Sequence, residues 1–145
     1  MAHAELAMRL TAPADRVWDV LTGPEIVRII LDEYAADVQV AGDGPPGAGS
    51  VLVTTLREGG VVRERVEAVD HEERSMRYRV LDAGPLPYAN YRGEARVQPC
   101  GDDACVVSFA CSFIPVDSTE ADATRHWLDH NRQVLAALSR FVASA

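Results

Sequence analysis

The sequence predicts an α+β fold. A curved antiparallel sheet of seven strands wraps one long C-terminal helix, and two short helices close one end. Three observations predict it. From Thr119 to Ser144, residues Trp127, Leu128, Asn131, Val134, Leu135, Leu138, Phe141 and Val142 recur at the i, i+3, i+4, i+7 spacing of one helix face. Between Ala36 and Ile114 the apolar period is mostly two, broken by Gly-, Pro- and Asp-rich turns. The long helix spans roughly 39 Å, so it needs a partner of similar size, and the alternating runs supply one.

Each element has its own signal. Ala4, Leu6, Met8 and Leu10 alternate with Glu5 and Arg9, which makes Ala4 to Thr11 a strand with one buried face. Pro13 opens a short helix with Val17, Trp18, Val20 and Leu21 on its apolar side. Gly23-Pro24 breaks it, and Pro24 opens a second helix through Ile26, Val27, Ile29, Ile30 and Leu31. Strands follow at Ala36–Val40, Ser50–Arg57, Val61–Asp70, Met76–Leu81, Ala89–Gln98 and Cys105–Ile114. The turns between them are Gly42–Gly49, Gly59-Gly60, His71–Arg74, Gly84–Pro87 and Gly101–Asp103. Asp117 or Thr119 caps the closing helix, with an acidic residue three positions on.

The totals set outer limits. A chain of 145 residues suggests a single domain, residues 1–145. A net charge of −8 argues against nucleic acid or an anionic membrane as partner. No apolar stretch approaches the roughly 18 residues of a membrane span. The start Met1-Ala-His-Ala-Glu5 lacks the regions of a signal peptide, so the expected location is cytoplasmic. Cys100, Cys105 and Cys111 are an odd count without CxxC spacing. Cys100 and Cys105 could face each other across a hairpin, but a reducing compartment leaves all three as thiols.

A strongly twisted sheet curled around one helix leaves a concavity that the helix cannot fill. Strand alternation assigns the polar groups inside it. Glu64 shares a face with Val62, Val66 and Ala68, and Tyr78 with Met76 and Val80. Tyr91 shares one with Ala89, Gly93, Ala95 and Val97. Phe109 and Phe113 line up with Val107 and Cys111, and Asn131 falls between Trp127 and Leu135 on the helix face. A carboxylate facing an apolar cavity has a raised pKa, which suits a general acid or base. Tyr78, Tyr91 or Asn131 would then hydrogen-bond a carbonyl or enolate. The bland alternative puts Glu64 at the mouth, or turned outward by a bulge, and paired with Arg63, Arg65 or Arg77. For Tyr78 and Tyr91 it is a plain wall role, and for Asn131 a satisfied core amide. Tyr34 and Tyr88 lie near the rim as gates or as surface packing. Phe109, Phe113 and Trp127 would line the cavity.

Other patterns look sharper than they are. Gly42-Asp-Gly-Pro-Pro-Gly47 matches GxGxxG literally, but two prolines remove backbone amides and a strand follows, so it is a turn. His126 and His130 are four apart, yet Trp127 stands where HExxH needs Glu, and both sit off the apolar face toward solvent. No metal is expected. His130 borders the cavity face and stays an outside acid/base candidate. Arg77, Arg79, Arg92 and Arg96, with Glu94, read as a solvated sheet face. Outward Val51 and Val53 would form an apolar stripe able to pair subunits in a homodimer.

Four segments carry a family resemblance: Leu10-Thr-Ala-Pro-Ala-Asp-Arg-Val-Trp-Asp-Val-Leu21, the Gly-rich loop after the second strand, Tyr88-Ala-Asn-Tyr-Arg92 before a long strand, and the closing helix with Trp127 and Leu138. With the element order, they resemble the START/Bet v 1-like (SRPBCC) superfamily, and within it the polyketide cyclase/dehydrase and lipid-transport branch. The resemblance covers nearly the whole chain and implies the helix-grip fold with an internal ligand cavity. It implies two kinds of function. One is a cofactor-independent cyclase or dehydratase acting on a polyketide-like or other natural-product intermediate; the inward polar set read from strand alternation would serve it, with Glu64 moving a proton and Tyr78, Tyr91 and Asn131 orienting oxygens. The other is a non-catalytic binder or carrier of a lipid or hydrophobic small molecule.

Overall fold

The computed structural model describes residues 1–42 and 47–143. The strict alternation of the first residues makes β1 (Ala2–Leu10), whose inward side chains end at the fully buried Leu10. Pro13 and Pro24 each stand immediately before a helix, where a missing N–H costs nothing. They start α1 (Ala14–Thr22) and α2 (Glu25–Glu33). There follow β2 (Ala35–Ala41), β3 (Val51–Leu56), β4 (Val61–Asp70), β5 (Ser75–Asp82), β6 (Tyr88–Pro99), β7 (Cys105–Pro115) and α3 (Glu120–Ala143). Thr119 caps α3: its Oγ1 accepts from the Asp122 amide at 3.1 Å. The turn expected at Gly42–Gly47 falls largely on residues 43–46, outside the described residues.

Among the described residues the seven strands form one antiparallel sheet in the order β1-β7-β6-β5-β4-β3-β2. α3 packs on β1, β7 and α2. This is the helix-grip arrangement. Its centre is Trp127, Leu135 and Leu138 of α3 against Phe113, Val107 and Val97 of the sheet, each at most 1% exposed. Burial of one such leucine contributes about 1.5–3 kcal/mol. α1 braces the β4–β5 turn from outside. Trp18 Nε1 donates to His71 Nδ1 at 3.0 Å, and Arg74 pairs with Asp15 at 2.7 Å.

Of the register slips in the sheet, those at Val66/Ala68 and Ala89/Arg92 overturn the inward faces expected from alternation. The β4–β5 register slips between Val66 and Ala68, so Val69 rather than Ala68 continues the inner face beside Met76. The β6–β7 register slips between Ala89 and Arg92, where Asn90 adopts φ +50°. Asparagine tolerates this left-handed geometry better than most residues. The extra residue turns both Tyr88 and Tyr91 inward and sets Ala89 opposite the exposed Ile114. Ala68 and Ala89 are therefore not inward residues. Period-two counting fails at both, because a bulge inserts one residue without leaving a mark in hydrophobicity.

Val51 and Val53 do point away from the helix, since their neighbours Leu52 and Thr54 are buried on the inner face. They stand opposite Arg65 and Arg63 and are only half-buried. The thiols of Cys100, Cys105 and Cys111 are all free, the first exposed and the others buried. Among the described residues no helix is long and apolar enough to cross a membrane.

Candidate functional site

β4 places Glu64 on the inner face. Its cross-strand partners are Leu52 of β3 and Val80 of β5, and all three point toward the helices. The β4–β5 register also slips between Arg63 and Glu64, but the extra residue there is Leu81 of β5, so Glu64 keeps its face and the turn-out that would have paired it with arginine does not occur. Among the described residues no hydrogen bond or ion pair reaches its carboxyl group. Burial among apolar neighbours pushes its pKa from 4.5 to about 7. At neutral pH it is thus divided between acid and carboxylate.

Three phenols stand within electrostatic range of this carboxyl. Tyr78 is two positions before Val80 on β5 and points the same way. Its ring lies over Gly93, its cross-strand partner on β6. A Cβ on residue 93 would come within 2.7 Å of the Tyr78 hydroxyl, so glycine is what lets the ring lie flat there. Tyr91 stacks beside it, with ring centroids 6.3 Å apart. Tyr91 accepts a 2.6 Å bond from the indole N–H of Trp127 and hydrogen-bonds Tyr78 in turn. Burial first, then the charge of Glu64, holds the Tyr78 phenol well above its ordinary range, with the Tyr91 bond opposing. Both phenols stay protonated donors at any physiological pH.

Tyr34 comes from the other side. It follows α2, whose last carbonyls are held by Arg57. The guanidinium donates to Leu31, to Asp32 at 2.9 Å and to Ala35 at 3.2 Å. That clamp fixes where Tyr34 leaves the helix. Its ring meets His130 of α3 edge-on, with centroids 4.5 Å apart. Burial, then Glu64, then Tyr78, raise its phenol pKa. No hydrogen bond holds the Tyr34 hydroxyl among the described residues. Glu64, Tyr34 and Tyr78 lie on the inner face and are half-buried. Two open depressions of about 420 and 760 Å³ lie elsewhere, around the β4–β5 turn; both are lined by Glu72 and Arg96, and neither reaches Glu64.

The remaining predicted residues are placed as follows. Asn131 is half-buried and donates to the Trp127 carbonyl at 2.9 Å, one helical turn back. Phe109, Phe113 and Trp127 are 6%, 0% and 1% exposed, so they pack as core. Tyr88, expected near the rim, begins β6, is 8% exposed and packs on Phe113. Its hydroxyl shares a 2.7 Å hydrogen bond with Nδ1 of the exposed His126. His130 is half-buried rather than solvated, since α2 covers that side of α3. Burial, then neighbouring His126, lowers its pKa to about 4 and keeps it neutral. Sequence reasoning missed two contacts, His130 on Tyr34 and His126 on Tyr88. The first carried a signal, because His130 borders the apolar stripe. The second depends on the bulge at Asn90 and had none. Among the described residues no group of three His, Cys, Asp or Glu side chains is placed to hold a metal ion.

The family model for polyketide cyclase / dehydrase and lipid transport proteins matches residues 1–143. The chain belongs to that family. Its fold is a ligand-binding one. No curated protein matches the chain. Among solved structures, the protein XoxI from Bacillus cereus superposes with a TM-score of 0.82 at 21% identity, covering 99% of this chain and 96% of that one. Norcoclaurine synthase from Thalictrum flavum, in complex with dopamine and hydroxybenzaldehyde, superposes at 0.78 and 22% identity, covering 98% and 86%. A protein from Nitrosospira multiformis gives 0.78 at 19% identity, covering 97% and 95%. At these identities the neighbours define the Bet v 1-like fold alone.

Proposed function

We propose that this protein is a cofactor-independent acid/base enzyme that closes or dehydrates a polyketide-like or other natural-product intermediate inside its grip. The observation that carries this reading is Glu64, an unpaired carboxyl group deep on the inner face with a pKa of about 7. A base so placed takes a proton from carbon next to a substrate carbonyl. Tyr78 stays protonated and is anchored through Tyr91 to Trp127. It donates to the oxygen on which negative charge develops. Returned by Glu64 to a hydroxyl of the intermediate, the same proton leaves as water and completes a dehydration. The apolar walls hold a flexible chain in a productive conformer. Norcoclaurine synthase, with two small oxygenated aromatic molecules in its complex, supports such a cargo for this fold.

Glu64→Gln tests this. Turnover of linear poly-carbonyl precursors should fall at least about tenfold with the fold intact. In the wild type, kcat/KM should rise with pH through about 7, as the base ionises. Unchanged turnover in the variant removes Glu64 from the mechanism.

A carrier reading is favoured by one specific observation: Tyr91 and Asn131 spend hydrogen bonds on Trp127 rather than facing a ligand unpaired. Native mass spectrometry of gently purified protein separates the two. A stoichiometric small molecule retained through purification supports a carrier, and an empty protein supports a catalyst that releases its product.

A further inference from the structure

The outer face of the sheet carries a feature that the interior chemistry does not use. Arg65 of β4 stands directly opposite Arg79 of β5, and Arg79 directly opposite Arg92 of β6. All three are exposed. Residues opposed on one face hold their Cβ atoms about 5 Å apart. The row therefore spans about 10 Å across three strands. Like charges in this arrangement destabilise a sheet. Nothing in the row relieves them: among the described residues none of the three has an ion pair or hydrogen bond through its side chain. The ion pair on this face is a neighbour's, Arg96 to Glu94 at 3.5 Å. The row ends in uncharged residues, Val51 beside Arg65 and Ser112 beside Arg92. A strip of unneutralised guanidinium groups runs against the net charge of −8 of the whole chain.

We infer that the Arg65–Arg79–Arg92 row docks an acidic helix of a partner protein, laid across the strands. The spacing fits. Carboxylates at i, i+4 and i+7 recur about every 5 Å along a helix axis. Guanidinium groups on neighbouring strands recur about every 4.8 Å. Each carboxylate meets one planar fork able to grip it with two hydrogen bonds. An apolar residue one turn beyond the last carboxylate reaches Val51. The net negative charge selects against broader anionic surfaces. A membrane or nucleic acid also faces the net charge of −8 of the whole chain, whereas one helix touches the row alone, within the Debye length of about 8 Å. This docking does not depend on what the cavity does.

The probe is a synthetic alanine-based helical peptide of about 18 residues, with Glu at i, i+4 and i+7 and Leu one turn beyond. A Gln-substituted copy and phosphatidylserine vesicles serve as comparisons. At about 20 mM salt the Glu peptide binds the full chain, and at about 0.3 M its affinity falls at least about tenfold. The Gln peptide and the vesicles do not bind. The triple variant R65Q/R79Q/R92Q loses at least about tenfold in peptide affinity. Its melting temperature without peptide rises by about 1–3 °C at low salt, because the repulsion is gone, and this shows that the variant folds. Three results overturn the inference: a triple variant that binds the peptide as the wild type does, a wild type that does not bind it at low salt, or vesicles that bind where the peptide does not.

Discussion

Replacing Glu64 by Gln should stabilise this protein while disabling it, and the pH dependence of the gain is set by the structure. The folded protein keeps the Glu64 proton up to about pH 7, against 4.5 ordinarily. Between those values the folded state binds more protons than the unfolded state. Linkage makes the Glu64 contribution fully favourable below pH 4.5 and lost as pH rises through about 7. At about 1.4 kcal/mol per pH unit, the interval is worth about 3 kcal/mol. Gln has nearly the same shape and cannot ionise. The stability of Glu64→Gln relative to wild type should therefore grow from near zero at pH 4.5 to about 3 kcal/mol at pH 7, then level off.

His130 runs the opposite way. Its folded pKa of about 4 lies below the ordinary 6.5, so its contribution is present above 6.5 and lost as pH falls through about 4. The two groups nearly cancel in the wild type between pH 4.5 and 6.5. Glu64→Gln uncovers the histidine, and the variant alone should gain stability with rising pH across that window. Urea unfolding at half-unit steps from about pH 4 to 8, with unchanged m-values, measures both curves. A difference that does not vary with pH, or a variant less stable than wild type at pH 8, would refute the reasoning.

Gly93→Ala drives a methyl group into the Tyr78 ring and should cost about 1–3 kcal/mol as overpacking. A thermal melt reads the cost, and turnover should fall with it, because Tyr78 is displaced. Thr54→Val removes a buried hydroxyl that has no hydrogen-bond partner. The variant should be more stable by about 1 kcal/mol in denaturant titration. Tyr91→Phe leaves the indole N–H of Trp127 without its acceptor, at a cost of about 1–3 kcal/mol. Its tryptophan fluorescence should shift, and an unchanged spectrum would count against the bond.

The fold was legible because its long elements carry long patterns. α3 repeats its apolar stripe over 24 residues, and no local accident erases it. The strands alternate cleanly wherever they pair without a slip. Glu64 was legible for the same reason, since between Val62 and Val66 β4 gains no extra residue and pairs with β3 without a slip. Beyond Val66 the bulge shifts the phase, and Ala68 gives way to Val69. At Asn90 a single left-handed residue brings Tyr88 inside, where alternation had placed Ala89. Both errors are one residue long, and each reverses a face. The position of His130 depends on α2 lying against α3, a tertiary fact that a helical wheel omits. The hydrogen bonds of Tyr91 and Asn131 were illegible too, because bonding depends on which neighbour lies within reach. The arginine row needed the register. Arg79 and Arg92 were expected to face outward on neighbouring strands, but nothing in the sequence sets them directly opposite each other and Arg65.

The most direct test of the central claim, a proton-exchanging carboxyl group on the inner face, is a carbon-13 NMR titration of the glutamate side-chain carboxyl groups, with the Glu64 resonance assigned by its loss in Glu64→Gln. A midpoint near pH 7 is the result predicted. A midpoint near 4.5, the ordinary value, would mean that Glu64 is solvated or paired and cannot be the acid/base group of this site.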